Sequence, residues 1–277
     1  MRADEVKAIL ESIGKRPTKR LGQHFMLDDS VLRRMVASAD LRPGVTVLEI
    51  GPGLGNLTEE LLRTGARVVA VEQDPEFVRF LSRRFGERVE LIEADAVEAF
   101  LPRFDKVVSN LPYQISSPII FKLMEVGFEV GVLMLQREFA ERMVAKRGTA
   151  DYGRLTVGVY FHSECEILFN VSKTSFWPQP RVDSCVVRMR PRPPPFKVGD
   201  ERLFGEVTKA IFSHRRKKII NSLRADTAIM GRMSSAEAAS FAALPYAEKR
   251  AEELSPEEIG RLTDVIQNLI ASSGRTA

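Results

Sequence analysis

The sequence predicts an α/β protein: a mostly parallel sheet closed by a terminal antiparallel hairpin, followed by a small all-helical domain. Three observations predict it. Five short runs rich in β-branched residues, 45–50 (VTVLEI), 67–72 (RVVAVE), 88–93 (RVELIE), 105–109 (DKVVS) and 130–136 (VGVLMLQ), are each followed by a segment of helical character. That alternation builds parallel βα units. Two further strand-like runs, 164–171 and 183–190, are joined by the proline-bearing SFWPQPR loop and read as an antiparallel hairpin. PRPPPF at 191–196 cannot hold a regular helix and reads as a stiff linker, and beyond it residues 201–272 read as helical throughout. The expected domains are therefore 1–190, a linker over 191–200, and 201–277.

The helices between the strands carry the expected punctuation. Asp74-Pro75 and Ser117-Pro118 supply a cap and a first-turn proline, while Gly65, Gly86 and Gly127 fall near helix ends. Tyr152-Gly153 precedes a helix over 154–163, and Ser255-Pro256-Glu257-Glu258 is a capping box for the last helix. No internal repeat is evident.

At 277 residues the chain is long enough for one substantial core and a smaller appended domain. Lys and Arg exceed Asp and Glu by only 41 to 37, so net charge predicts no partner by itself. Placement says more. Residues 12–27 carry Lys15, Arg16, Lys19 and Arg20 with no acid, and 209–224 carry Lys209, Arg215, Arg216, Lys217, Lys218 and Arg224, again with none. The two cysteines, Cys165 and Cys185, lie in apolar strand-like runs, which disfavours a disulfide framework or a cysteine-rich metal site and fits a reducing cytosol. No stretch approaches the ~18 apolar residues that span a bilayer, and the N-terminal residues carry charges in their first turns. A cytoplasmic protein with no membrane contact and no bound metal is expected.

Gly51-Pro52-Gly53-Leu54-Gly55 directly follows the first strand and precedes a helix, so its glycines allow a tight turn and close approach of backbone to a ligand. Dinucleotide sites prefer G-x-G-x-x-G, because a pyrophosphate rests on the helix N-terminus. Here the third glycine arrives one residue early, which favours S-adenosylmethionine, a ligand without phosphate, over a nicotinamide cofactor. Glu72 ends the second strand, where an acid can accept hydrogen bonds from both ribose hydroxyls. Asp95 lies just beyond the third strand at the same sheet edge and can accept from an adenine amino group.

Asn110-Leu111-Pro112-Tyr113 follows the fourth strand and is the most specific feature of the chain. An adenine exocyclic amine is a poor nucleophile because its lone pair is delocalised into the ring. Accepting its two N–H groups, through the Asn oxygen and a backbone carbonyl fixed by the proline, favours pyramidalisation and frees that pair. The tyrosine offers a stacking face for a base taken out of its helix, worth roughly 1–3 kcal/mol in comparable contacts.

With these residues the chain resembles the ribosomal RNA adenine N6,N6-dimethyltransferase family, which has the Rossmann-like class-I methyltransferase fold. The resemblance covers nearly the whole chain: LGQHFM (21–26), LEIGPGLGNLT (48–58), Glu72, Asp95, NLPYQISSPI (110–119), QREFAERM (136–143), YGRLTV (152–157), FWPQPRVDS (176–184) and FSHRRKKIINSL (212–223). It implies that Gln23, His24 and Met26 cover the cofactor, that Gly51 and Gly53 flank its methionine part, that Glu72 holds the ribose and that Asp95 holds the adenine. It further implies that Asn110 lies between cofactor and target amine, and that Tyr113 and Phe176 sandwich the flipped adenine. Bacterial members more often carry Asn at position 24. The histidine, Met26 and the PRPPPF linker are similar to archaeal and eukaryotic members. The implied reaction is dimethylation of two adjacent adenosines near the 3′ end of small-subunit rRNA, by a monomer acting on the immature small subunit.

No general base is expected, since the methylated amine cation is acidic enough to lose its proton to water; His24 is then a structural or cofactor-covering residue. Catalysis rests on in-line positioning, which can supply about 7–11 kcal/mol of a barrier. Arg215, Arg216, Lys217 and Lys218, with Lys19 and Arg20, are candidate phosphate contacts that would fix register on RNA. Two other functions share these motifs: a DNA adenine-N6 methyltransferase, disfavoured by Leu111 and the HRRKK run, and a non-catalytic RNA-binding assembly factor, disfavoured by the intact Gly51, Glu72, Asp95 and Asn110.

Overall fold

The computed structural model describes residues 1–17, 23–233 and 239–273. The chain forms two compact units, Met1–Ala140 with Glu164–Pro191, and Glu141–Ser163 with Arg192–Ala277.

The first unit is built on a seven-stranded sheet. Its strands are β2 (Thr46–Ile50), β3 (Arg67–Glu72), β4 (Val89–Glu93), β5 (Lys106–Asn110), β6 (Val130–Gln136), β7 (Ser163–Val171) and β9 (Ser184–Pro191), in the order β4-β3-β2-β5-β6-β9-β7. The first five pair in parallel, and β9 joins β6 antiparallel with Leu133 opposite Val187. The hairpin thus closes the sheet through its second strand, with β7 at the edge. The strands buried on both faces are runs of Val, Leu and Met, as parallel strands covered by helices require. Helices α2 (Asp29–Ala37), α3 (Asn56–Leu62), α4 (Pro75–Phe85) and α5 (Ser116–Glu125) follow strands or precede them in the expected places, and Asp74 caps α4 as read, accepting the Glu76 N–H. The cap read at Ser117 is not formed: α5 starts earlier, its cap position is Ile115 without a side-chain bond, and Ser117 lies within the helix.

Two features position the site. The strand order reverses between β2 and β5, the topological switch point where open α/β sheets bind ligands. There β2 and β5 stay in register only over Val47–Lys106 and Leu48–Val107. Further on, the Ser109 hydroxyl replaces the ladder, donating to the Ile50 carbonyl at 2.5 Å and accepting the Ile50 N–H at 3.3 Å. The second feature was not legible in the proline-bearing loop: Phe176–Trp177 (β8) pairs antiparallel with Phe25–Met26 (β1), tying the two motif segments together. Helix α1 (Ala3–Ser12) buries Val6 and Leu10 in a cluster with Phe25, Leu54 and Phe77.

The second unit is helical. It contains α7 (Arg154–His162), α8 (Glu201–Ser213), α9 (Ile219–Arg224), α10 (Thr227–Met230) and α11 (Pro256–Ser273). Its boundary differs from a cut at residue 190, because Val157 and Phe161 of α7 share one core with Phe204, Ile211 and Leu262. Phe196 of the proline-rich segment joins this core, its ring 5.1 Å from Phe161, so the segment ends in packed structure. Helix does not run throughout 201–272. Lys217 and Lys218 are outside any helix, and Asp226 starts α10 by accepting the Ala228 and Ile229 N–H groups. Cys165 and Cys185 are free thiols. Among the described residues, no helix is long and apolar enough to cross a membrane.

Gly55 starts α3 at φ 80°, where a Cβ would lie 2.5 Å from the Phe85 ring and 2.8 Å from Leu81. Gly55→Ala is expected to destabilise the first unit by about 2–4 kcal/mol, from left-handed strain plus overpacking. Denaturant unfolding checks this; an unchanged midpoint would contradict it.

Candidate functional site

A cavity opens at the carboxyl ends of β2, β3 and β5, roofed by the segment that carries β1. Its floor is the glycine loop. Gly51 sits at φ 70°, and a Cβ there would press on Pro112 at 3.2 Å, so the cofactor loop and the Asn110 loop touch through a position where only glycine fits without displacement. Gly53 has φ 56° and lies under the Phe25 ring. Asn56, the first residue of α3, donates from its amide to the Met26 carbonyl at 2.9 Å and holds the roof over the loop.

The cavity is acidic. Glu49, Glu72 and Asp95 line it, and among the described residues no Lys or Arg does. Glu72 is buried, and its two oxygens accept the Asp74 N–H at 2.9 Å and the Gly53 N–H at 3.3 Å. Burial raises its pKa against the pull of those backbone bonds. Asp95 is exposed and accepts the Val97 N–H at 2.8 Å. Its loop is anchored from α5, where the Lys122 ammonium donates to the carbonyls of Ala96, Val97 and Ala99.

Asn110, Leu111, Pro112 and Tyr113 form the opposite wall. The Leu111 N–H donates to the Met134 carbonyl at 3.2 Å, and the Pro112 carbonyl accepts the Ile115 N–H at 3.1 Å, which fixes the turn from both ends. The Tyr113 hydroxyl bonds the buried Ser184 hydroxyl at 2.7 Å. Burial raises the phenol's pKa above its ordinary value, with the Ser184 bond opposing. Gln23, His24 and Met26 line the roof. The His24 ring lies 5.7 Å from the Tyr113 ring at 32°, and its Nδ1–H donates to the Pro178 carbonyl at 2.6 Å.

The candidates for cofactor and target base therefore converge on one cavity, with a single exception. Phe176 is 3% exposed and packs in the core beneath its β-partner Met26, away from the lining. The basic run is also less uniform than its sequence. Arg215 donates to the Ala150 carbonyl at 2.5 Å and pairs with Glu252 at 3.3 Å, and Lys218 pairs with Glu248. Arg216 and Lys217 are exposed between them. Lys19 and Arg20 lie outside the described residues. Glu49, Asn56, Lys122 and Ser184 were not singled out from sequence. Only Glu49 carried a signal, a lone acid in the otherwise apolar VTVLEI run.

The sequence profile of ribosomal RNA adenine dimethylases matches residues 14–266. The chain belongs to the ribosomal RNA adenine dimethylase family. The family's members are adenosylmethionine-dependent enzymes that methylate adenine in ribosomal RNA, and the chain shares their class-I methyltransferase fold. Among its relatives, a probable ribosomal RNA small subunit methyltransferase A of Methanosarcina acetivorans is 47% identical over 89% of this chain and 93% of the relative. The protein of the same name from Thermococcus gammatolerans is 41% identical over 92% of this chain and 91% of the relative. A dimethyladenosine transferase structure from Plasmodium falciparum superposes with a TM-score of 0.71 at 29% identity, covering 86% of this chain and 96% of that one. The 23S rRNA methyltransferase ErmE does so with a TM-score of 0.62, also at 29% identity, over 88% of this chain and 99% of that one.

The geometry sets three expected outcomes. If Ser184 orients Tyr113 through the 2.7 Å bond, Ser184→Ala and Tyr113→Phe lower RNA methylation by similar factors and the double variant is no worse, because both remove one interaction; additive losses in the double-mutant cycle would contradict this. Arg216→Ala and Lys217→Ala should each lower the salt dependence of RNA binding by about one counterion. Arg215→Ala should lower the thermal stability of the second unit, as measured by calorimetry.

Proposed function

We propose that this family member transfers methyl groups from S-adenosylmethionine to N6 of two adjacent adenosines near the 3′ end of small-subunit rRNA, giving N6,N6-dimethyladenosine during ribosome biogenesis. One observation carries the reading: a cavity lined, among the described residues, by three acidic side chains and no Lys or Arg, with Asn110-Leu111-Pro112-Tyr113 on its wall. A cationic donor suits that field, whereas the pyrophosphate of a dinucleotide would be repelled by it.

In this reading the glycine loop takes the methionine part, Glu72 the ribose and Asp95 the adenine, with Gln23, His24 and Met26 as cover. The donor supplies an electrophilic methyl group on sulfur. Asn110 accepts one N–H of the target amine through its side-chain oxygen. The Pro112 carbonyl is engaged within its own turn, so the second N–H is assigned to the carbonyl of Leu111. So held, the N6 lone pair would be free to accept the methyl group that a bound donor would supply, the C–S electron pair staying on the donor's sulfur, and the amine's proton would leave to water. The reading gives His24 no proton to move, because the amine's proton leaves to water; its Nδ1–H donates to the Pro178 carbonyl and orients the ring.

Tyr113 supplies one stacking face for the extruded base. Phe176 can supply the second only by leaving its packing under Met26. Arg216 and Lys217, extended by Lys19 and Arg20, are assigned to phosphates of the immature small subunit, with Arg215 and Lys218 holding the turn that presents them. In this reading the first unit is catalytic and the second, which includes 141–163, binds RNA, and the protein acts in the cytoplasm as a monomer.

Asn110→Ala should lower methyl transfer to immature small subunits by about 10²–10³-fold, the loss usual for one electrostatic contact made in the transition state. Labelled-methyl transfer measures this, and mass spectrometry of the rRNA reports the site and methylation number. Full activity of the variant, or preferential labelling of duplex DNA, would overturn the assignment.

A further inference from the structure

Glu49 has no role in the mechanism above, yet it is the most buried acid at the cavity. It is 2% exposed in β2, flanked by the buried Leu48 and Ile50, and it lines the cofactor cavity. Its hydrogen-bond partner is the Thr58 hydroxyl on α3, which donates to it at 2.6 Å. A carboxylate has about four acceptor sites, so one hydroxyl leaves most of its charge unbalanced.

Among the described residues, the groups that line the cavity do not supply a counter-charge. Glu72 at the end of β3 and Asp95 after β4 are acids, while the roof contributes His24. The loop after β5 contributes the uncharged Asn110, and no described Lys or Arg lines the cavity. Lys15 is engaged with Asp74 at 2.8 Å. Burial pushes the Glu49 carboxyl up to about 8 and Glu72 adds to the rise, while the Thr58 bond opposes it. Buried, with the Thr58 hydroxyl as its hydrogen-bond partner, the carboxyl resists ionisation unless a positive charge lies close to it.

We propose that Glu49 is the charge-selecting residue of the cofactor cavity: ionised, it favours the sulfonium donor, and it takes up a proton when the uncharged thioether product remains. This rests on the adenosylmethionine reading above. Donor and product share an ammonium and a carboxylate, so they differ in charge only at sulfur, by one unit. Methyl transfer forms the N–C bond, breaks the C–S bond toward sulfur and releases one proton from the amine to water; Glu49 takes one proton from water as the cavity loses its positive charge. Atoms and charge balance with no further reactant. The protonated residue no longer attracts the bound product, which eases its exchange for a fresh donor between successive transfers to one adenine.

Calorimetric titration of the full-length chain with S-adenosylmethionine and with S-adenosylhomocysteine, in buffers of different ionisation enthalpy near neutral pH, tests this. The wild type should release close to one proton on binding the donor and far less on binding the thioether. Glu49→Gln, which keeps an acceptor for Thr58, should abolish the proton release. It should also weaken the donor on the order of tenfold, the equivalent of one pKa unit, while leaving thioether affinity nearly unchanged. Equal proton release with both ligands, or equal weakening of both by the variant, would overturn the proposal. The wild-type proton count decides even if the variant does not fold. Failure of the wild type to bind either ligand would instead remove the cofactor reading and the proposal with it.

Discussion

Everything functional in the first unit depends on β2 and β5 separating after Leu48 and Val107. Strand order reverses at that point, so the chain leaves β2 and β5 in opposite directions and a crevice remains between their ends. Left open, it would expose unpaired backbone groups in the sheet. The Ser109 hydroxyl bonds both polar groups of Ile50 and satisfies them without closing the gap. Immediately above, Gly51 meets Pro112, so the cofactor loop and the target loop are built against each other. A shift in either would misplace the other, and reactions that rely on in-line positioning tolerate little misplacement.

Charge is divided between the two units in a way that suits a cationic donor and a polyanionic substrate. The cavity is acidic, and two of its acids, Glu49 and Glu72, are buried, where a field acts strongly. The exposed basic residues of the second unit lie in a turn, where they can act on phosphates through screened, salt-dependent contacts. Part of that basic run is held by structure: Arg215 pairs with Glu252 and donates to the Ala150 carbonyl, while Lys218 makes only an exposed pair with Glu248. A count of positive residues in the sequence therefore overstates the charge available to RNA.

Much of the fold was legible because strand and helix periods are local signals. RVVAVE forms β3 over its full length, and the cap at Asp74 starts α4 as read. Convergence of Gly51, Glu72, Asp95 and Asn110 on one cavity followed from placing each at a strand's carboxyl end. What escaped the sequence depends on pairing between distant segments. The β1–β8 ribbon joins residues about 150 positions apart and leaves no periodic trace. It also pairs Phe176, expected beside the base, with Met26 and places both in one core cluster. The membership of α7 in the second unit is of the same kind, since its apolar residues do not specify which core receives them. Ser184 and Lys122 act through single long-range hydrogen bonds, and neither residue type announces such a partner.

The central claim is that the crevice between the ends of β2 and β5 brings a methylsulfonium and an adenine amine into line. A crystal structure of the protein with S-adenosylmethionine and a short RNA bearing the target adenosine tests it most directly. The account predicts the methionine part over Gly51 and Gly53, the ribose at Glu72, and the base amine between the Asn110 side chain and the methyl group. A donor bound outside this crevice, or an amine held away from Asn110 with the donor in place, would contradict it.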